Sequence, residues 1–322
     1  MSIHFIYVMN MLTILSITAP IFLLILIGFI VVRTGALPAT SIPGMSSYLL
    51  FLALPCLIFQ KISQLDISQV VNADYLLIYT MGCLLVFFSV FFISRIVLRD
   101  SISFAALKGF GGSFPNSALI GLSLMMQYFE HPPTQAFVMV MLVENIVLFP
   151  IAFALMETTP ESGADLKKTI CTVGVRLLKN PIIIAVVTGA LASLVHFNPP
   201  AFIARVMDLL ASSVAPVALV IIGGSLVGSQ VRASARDLLL ISGFKLVLHP
   251  LLVLLMVVFI VPDMDSSLKQ AAVIFAASPM MSMYPVIGGQ YGQQAYCAGL
   301  LLVTTVFGFF SISLMLSLLE LI

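Results

Sequence analysis

The sequence predicts an all-α polytopic membrane protein with ten transmembrane helices, arranged as two inverted five-helix repeats. Three observations predict it. Of 322 residues, 61% are hydrophobic and only 8% charged, where a soluble domain carries about 25%. So few charges cannot cover a water-facing surface, which excludes a cytosolic enzyme, a nucleic-acid binder and a disordered chain. Apolar windows of the roughly 20 residues needed to cross hydrocarbon recur along the whole chain. Finally, the prolines of the two halves fall into register.

The windows lie near 11–32, 42–60, 74–94, 103–127, 135–156, 179–196, 203–228, 237–261, 267–290 and 295–319. The first is read as a span, not a signal peptide, because residues 1–10 lack a positive region and no small-residue cleavage site follows. The fourth and ninth contain glycine, proline and polar residues. The longest polar stretch, 157–179, separates spans five and six. Basic residues orient the spans. Arg33, Arg95, Arg99, Lys167, Lys168, Arg176, Lys179, Arg232 and Arg236 fall beside the odd-numbered loops, against Lys61, Arg205 and Lys269 on the other side. Lys108 and Lys245 lie inside spans and are set aside. The bias puts the odd-numbered loops in the cytoplasm and both termini outside the plasma membrane.

At an offset of 161, Pro20 falls on Pro181, Pro38 on Pro199, Pro55 on Pro216 and Gly28 on Gly189. With nine prolines in one half and eight in the other, three coincidences at one offset exceed chance. The register continues with Pro115 on Pro279 and Gln127-Tyr128 on Gln290-Tyr291. The halves are 1–161 and 162–322. Five spans per half is odd, so the second half enters from the opposite side, a plan common among secondary transporters.

Span four is interrupted at Gly109-Phe-Gly-Gly-Ser-Phe-Pro-Asn-Ser117 and span nine at Ser278-Pro-Met-Met-Ser-Met-Tyr-Pro285. Proline removes a backbone donor and clashes with the preceding turn, and freed backbone groups in hydrocarbon must be satisfied by protein or water. Two interrupted helices at matching repeat positions point to a transporter binding site. Broken near the midplane, they can cross there and present half-helix N-termini suited to a carboxylate. Ser113, Pro115, Asn116 and Ser117 would form one side of the site, and Ser278, Pro279, Ser282 and Tyr284 the other. The competing reading is a pair of ordinary proline kinks.

The segment Phe114-Pro-Asn-Ser-Ala-Leu-Ile-Gly-Leu-Ser-Leu124 resembles the Asn-containing broken-helix motif of the auxin efflux carrier family, which includes bacterial malonate-type permeases. Leu54-Pro-Cys-Leu-Ile-Phe59, Lys179-Asn-Pro-Ile-Ile-Ile-Ala185, Ala215-Pro-Val-Ala-Leu-Val-Ile-Ile-Gly-Gly-Ser-Leu226, Ser278-Pro-Met-Met281 and Gln290-Tyr-Gly292 fit the same family in the same order. The resemblance implies a scaffold of spans 1, 2, 6 and 7, a transport unit of spans 3–5 and 8–10 with helices 4 and 9 crossing, and a homodimer as in relatives. Met280-Met281 stands where relatives often carry smaller or hydroxylated residues. The short stretch between spans five and six is unlike the long loop of plant hormone carriers.

Few charges remain inside the spans. Glu144 and Asn145 sit mid-span among apolar residues. A carboxylate at the bilayer centre is costly unless protonated or paired, so Glu144 is a candidate proton acceptor or cation contact. The alternative is a structural carboxyl hydrogen-bonded across helices. Lys245 and His249, four apart, share a helix face. Lys245 lies about 12 Å from its helix start at 1.5 Å per residue; it either meets an anion or acid, or snorkels to the headgroups. His249 is either a packed residue or a proton relay. Asp74 and Asp208, at span ends, read as solvated. Gly224–Gly228 spacing reads as close helix packing. Cys56, Cys83, Cys171 and Cys297 lack zinc or disulfide spacing. No metal or cofactor is expected.

Gly111-Gly-Ser113 and Gly223-Gly-Ser225 match the short Gly-x-Ser pattern of intramembrane serine proteases, but no paired histidine context accompanies them. A channel or facilitative uniporter of the same fold is the nearer alternative, and a non-transporting sensor a third. The reading is therefore a permease for a small organic anion, a mono- or dicarboxylate such as malonate, working by alternating access with H+ ahead of Na+ as coupling ion.

Overall fold

The computed structural model describes residues 3–64, 71–157, 181–197, 199–228 and 233–319. Twelve helical segments and no strand occur among them: α1 (Ile3–Arg33), α2 (Ser41–Ile62), α3 (Ala73–Val97), α4 (Ile102–Ser113), α5 (Ser117–Tyr128), α6 (Thr134–Met156), α7 (Pro181–Leu194), α8 (Ala201–Ser225), α9 (Ala235–Phe259), α10 (Ser266–Ala277), α11 (Tyr284–Gln290) and α12 (Gln294–Leu319). Each apolar window of the sequence falls on helix, and windows four and nine are each split in two. Six segments, α2, α3, α6, α8, α9 and α12, are long and apolar enough to cross a membrane. Lys167, Lys168, Cys171, Arg176, Lys179 and Arg232 lie outside the described residues.

Short polar residues start the helices. Asn72, Ser101, Ser234 and Asp265 each accept a backbone N–H from the first turn of α3, α4, α9 and α10, satisfying donors that have no partner within the helix. Three of the prolines inside the spans follow a widened turn, whereas Pro20 in α1 and Pro216 in α8 do not. Leu49–Ala53, Val143–Leu148 and Phe244–Leu248 are widened turns, and Pro55, Pro150 and Pro250 each stand two residues beyond. A proline lacks the N–H and crowds the carbonyl one turn back. Widening that turn relieves the crowding without ending the helix. Two of these three turns carry Glu144 and Lys245, and two further widened turns, Ile93–Val97 and Ser117–Gly121, have no proline two residues beyond.

The helices pack in two groups. In the first, α1 lies along the second half of α8, and α2 lies against α7 and the first half of α8. Glycine permits the closest approach: a Cβ on Gly28 would strike the Val220 carbonyl, and one on Gly223 that of Ile25. Tyr48 Oη and Ser213 Oγ lie 2.7 Å apart, and Gln60 Nε2 donates to Asp208 Oδ1 at 2.5 Å. Asp208, expected to be merely solvated, thus ties α8 to α2. Of the Gly224–Gly228 pair, Gly224 packs against Val32 and Ile42, whereas Gly228 is a left-handed turn at φ 79° with open space around it. The second group holds α3, α4 and α6 with α9, α10, α11 and α12. The two groups meet where α1 and α8 touch α5, where α1 touches α12 and where α2 touches α6.

Large apolar side chains cover much of the outside. Phe51, Phe92, Leu194, Phe202, Leu239, Phe259 and Phe310 are all exposed. Such a surface is untenable in water and suits lipid. The protein is a multi-pass membrane protein.

Candidate functional site

The break between α4 and α5 spans Phe114, Pro115 and Asn116, and that between α10 and α11 spans residues 278–283. The two breaks are joined like a fragment of antiparallel sheet, centred on Pro115 and Met280. Asn116 N donates to Pro279 O at 2.7 Å, and Met281 N donates to Phe114 O at 3.1 Å. Each unwound segment therefore supplies the partner that the other lost at its proline, which answers the backbone penalty of breaking a helix in lipid. Asn116 Nδ2 also donates to Ser282 Oγ at 2.5 Å. The sequence puts Asn116 and Ser282 on opposite sides of one site, and the two side chains are in contact here.

The remaining hydroxyls are used differently from the expectation. Ser113 Oγ donates to Gly109 O at 2.9 Å and Ser278 Oγ to Ile274 O at 3.1 Å, each back into its own helix. Tyr284 Oη donates to Leu107 O at 3.2 Å. Pro115, Asn116, Ser117, Ser278, Pro279 and Tyr284 are all buried, while Ser282 and Met281 are half-buried. Phe110 stacks on Phe114 with centroids 3.9 Å apart, and Phe149 and Tyr284 close around them. The close approach demands glycine at Gly111, where a Cβ would lie 2.8 Å from the Tyr284 ring. The crossing is thus packed shut in this conformation. The second half-helix begins only at Tyr284, because Pro285 fits the first turn of a helix but not its interior. The two halves of the site are therefore unequal: three unwound residues on one side and six on the other.

Behind the crossing lies a polar cluster. Ser117 Oγ donates to Glu144 Oε1 at 2.6 Å. Glu144 is 1% exposed and sits on the turn of α6 that packs against α3. The Tyr75 hydroxyl, also buried, has no hydrogen-bond partner among the described residues. Asn145 is half-buried and donates to Met141 O at 2.8 Å, within α6. At the repeat offset of 163 Glu144 corresponds to Phe307, which is exposed.

Lys245 does not snorkel. It is 0% exposed, and Nζ donates to Ala276 O at 2.9 Å and lies 3.0 Å from His249 Nδ1. An ammonium has no lone pair to offer, so Nδ1 accepts and the ring proton sits on Nε2. Nε2 then donates to Cys83 Sγ at 3.3 Å. His249 is thus buried and hydrogen-bonded at both ring nitrogens.

Sequence reasoning missed a second charged group. Lys108, 1% exposed, donates to Asp100 Oδ2 and Asp237 Oδ1, both at 2.8 Å. Arg99 adopts φ 59° in the four-residue turn between α3 and α4, which returns Asp100 over Lys108. The signal available was a lysine inside an apolar window with an acid eight residues before it.

Neither Gly-x-Ser serine is placed as a nucleophile. Ser113 and Ser225 both donate to carbonyls of their own helices, where a nucleophile must donate to a base. Among the described residues no group of His, Cys, Asp and Glu is arranged to hold a metal.

Comparison with known proteins agrees with the geometry. A family model described as membrane transport protein matches residues 13–316. The chain is 28% identical over 289 residues to a protein of Rhizobium meliloti (strain 1021) named "Putative malonate transporter", covering 89% of each chain. It is 26% identical over 249 residues to the "Lysosomal cholesterol signaling protein" of Mus musculus, covering 71% of this chain and 28% of that protein.

Proposed function

The chain belongs to the auxin efflux carrier family of membrane transport proteins, and from that premise we propose that it is a secondary active transporter for a small organic anion. The substrate is a mono- or dicarboxylate such as malonate. The observation that carries this reading is the pairing of the two helix breaks through Asn116, Pro279 and Met281. It holds backbone and amide donors at the centre of an otherwise apolar body. The amides of Ser117, Ala118 and Leu119 open α5 and have no acceptor within that helix, and the positive end of its dipole favours a carboxylate.

In this reading spans four and nine are α4–α5 and α10–α11, and the chain forms ten spans in two inverted repeats, 1–161 and 162–322. The packing of α1, α2, α7 and α8 as one group supports their role as scaffold, with the other helices as the moving unit. The aromatic closure over Phe110 and Phe114 makes this conformation an occluded one. Opening to either face then frees Asn116 Nδ2 and Ser282 Oγ from each other for the substrate. A crossing that is shut favours a carrier over a channel, because a carrier must pass through a closed state. Glu144 beside Ser117 is placed to take up a proton when substrate binds, with H+ ahead of Na+ as coupling ion. Lys108 joins the chain ends that carry Arg95, Arg99 and Arg236, which supports reading those loops at one face, the cytoplasmic one. Both termini then lie outside a plasma membrane, and the exposed apolar first half of α8 is available to lipid or to a second copy.

A thermal-shift series of carboxylates on the purified protein, followed by liposome uptake with and without a pH gradient, tests the reading. Stabilisation and uptake by small carboxylates are expected. Uptake confined to cations or neutral solutes would overturn it.

A further inference from the structure

The half-helix α10 ends at Ala277, directly before the crossing. Its last carbonyls form the negative pole of the helix dipole and lack partners within the helix. Three of them have partners of other kinds. Ile274 O accepts from Ser278 Oγ, Phe275 O from Ser278 N, and Ala276 O from the ammonium of Lys245. Transporters with broken helices commonly place a mobile coupling cation at such an end, among unwound carbonyls. Here a side chain from α9 occupies that place.

The surroundings are those of a cation site. Around the Lys245 ammonium stand the Ala276 carbonyl from α10 and His249 Nδ1 from α9, and the turn of α9 that carries it packs against α3. The lysine is wholly buried, so its hydrogen bonds are made to these protein groups and not to solvent. The repeat does not require it. Offsets of 161–164 place Leu84, Cys83, Gly82 and Met81 opposite Lys245, so the first half carries no basic residue at this point.

We propose that Lys245 is a tethered cation that fills the cation position at the end of α10, so that transport needs no Na+, Li+ or K+ there. The proposal rests on the transporter reading for its purpose, but its first test needs no substrate. Purified wild type, Lys245→Ala and Lys245→Arg are melted in Na+, Li+, K+ or methylammonium chloride against N-methylglucamine chloride at constant ionic strength. Wild type and Lys245→Arg are expected to be indifferent. Lys245→Ala is expected to gain several degrees from a small cation that now binds the vacated position, as mass action requires. In liposomes, wild-type malonate uptake is expected to be equal in Na+ and N-methylglucamine. Uptake by Lys245→Ala falls about tenfold in N-methylglucamine and recovers severalfold in a small cation.

Three results would overturn the proposal: a wild type stabilised or activated by Na+, a Lys245→Ala protein as active as wild type without any small cation, or a folded Lys245→Ala protein that gains nothing from any of them. If Lys245→Ala does not fold, the Na+ response of the wild type decides alone, indifference supporting the proposal and dependence refuting it. A wild type that carries no carboxylate sinks the transport reading and leaves the melting comparison to judge the lysine.

Discussion

Removing the Lys108 ammonium exposes the energetics of the buried charge group most sharply. Nζ contacts two carboxylates at 2.8 Å, Asp237 with a side chain 9% exposed and Asp100 at 17%. Two unit charges 4 Å apart interact by about 4 kcal/mol at an effective dielectric of 20, and the desolvation of both groups offsets much of this. The truncated protein keeps the desolvation and loses the attraction. Lys108→Ala should therefore destabilise by about 3–5 kcal/mol, the usual cost of stranding a buried charge. Neutralising the more buried acid removes most of that penalty, so Lys108→Met with Asp237→Asn should be clearly more stable than the sum of the two single changes predicts. The assay is SDS titration of the purified protein in mixed micelles. A Lys108→Ala protein within about 1 kcal/mol of wild type, or strict additivity in the double variant, would refute the reasoning by showing that the triad is solvated.

Other changes give separate checks. Gly111→Val drives a side chain into the Tyr284 ring, and overpacking of this kind costs about 1–3 kcal/mol; unchanged melting and uptake would contradict the tight crossing. Glu144→Gln is expected to keep the fold, since an amide still accepts from Ser117, but to flatten the pH dependence of uptake; an unaltered pH profile at normal expression removes Glu144 from coupling. Asp265 caps α10, and the Ser267 hydroxyl beside it, helped by the Leu268 and Ser267 amides and the Lys269 charge against a smaller effect of burial, holds its carboxyl below the usual carboxylate range. Its contribution is thus full above the unfolded value of about 3.9 and lost as pH falls through the lower folded value. Asp265→Ala should cost about 0.5–2 kcal/mol at neutral pH and nothing in strong acid, and a cost independent of pH would count against the cap.

Much of this architecture could be read before the structure, and the reasons are physical. Apolar run length locates helices in lipid because nothing else satisfies the backbone there. Prolines locate the breaks, so Pro115 and Pro279 were found as a pair. Proline also follows the widened turns at Val143–Leu148 and Phe244–Leu248, but Pro20 and Pro216 follow none, so proline alone does not locate such turns. Side-chain direction was not readable. In an all-apolar span no hydrophobic stripe fixes the rotation of the helix, so Lys245 could equally point to headgroups or inward. The partner of Lys108 was hidden because Asp237 is 129 positions away. The serines at the breaks were read as free donors, whereas Ser113 and Ser278 back-bond to their own helices, as hydroxyls do when carbonyls one turn earlier are available.

Exchange in liposomes is the most direct measure of the central claim, that a shut crossing of two broken helices carries one small anion at a time. Vesicles bearing wild type or Asn116→Ala are loaded with unlabelled malonate and given labelled malonate outside. The account predicts saturable uptake that internal malonate accelerates, and loss of about tenfold or more in Asn116→Ala while the protein stays folded. Flux that rises without saturation, ignores internal malonate, or is unchanged in Asn116→Ala would contradict it.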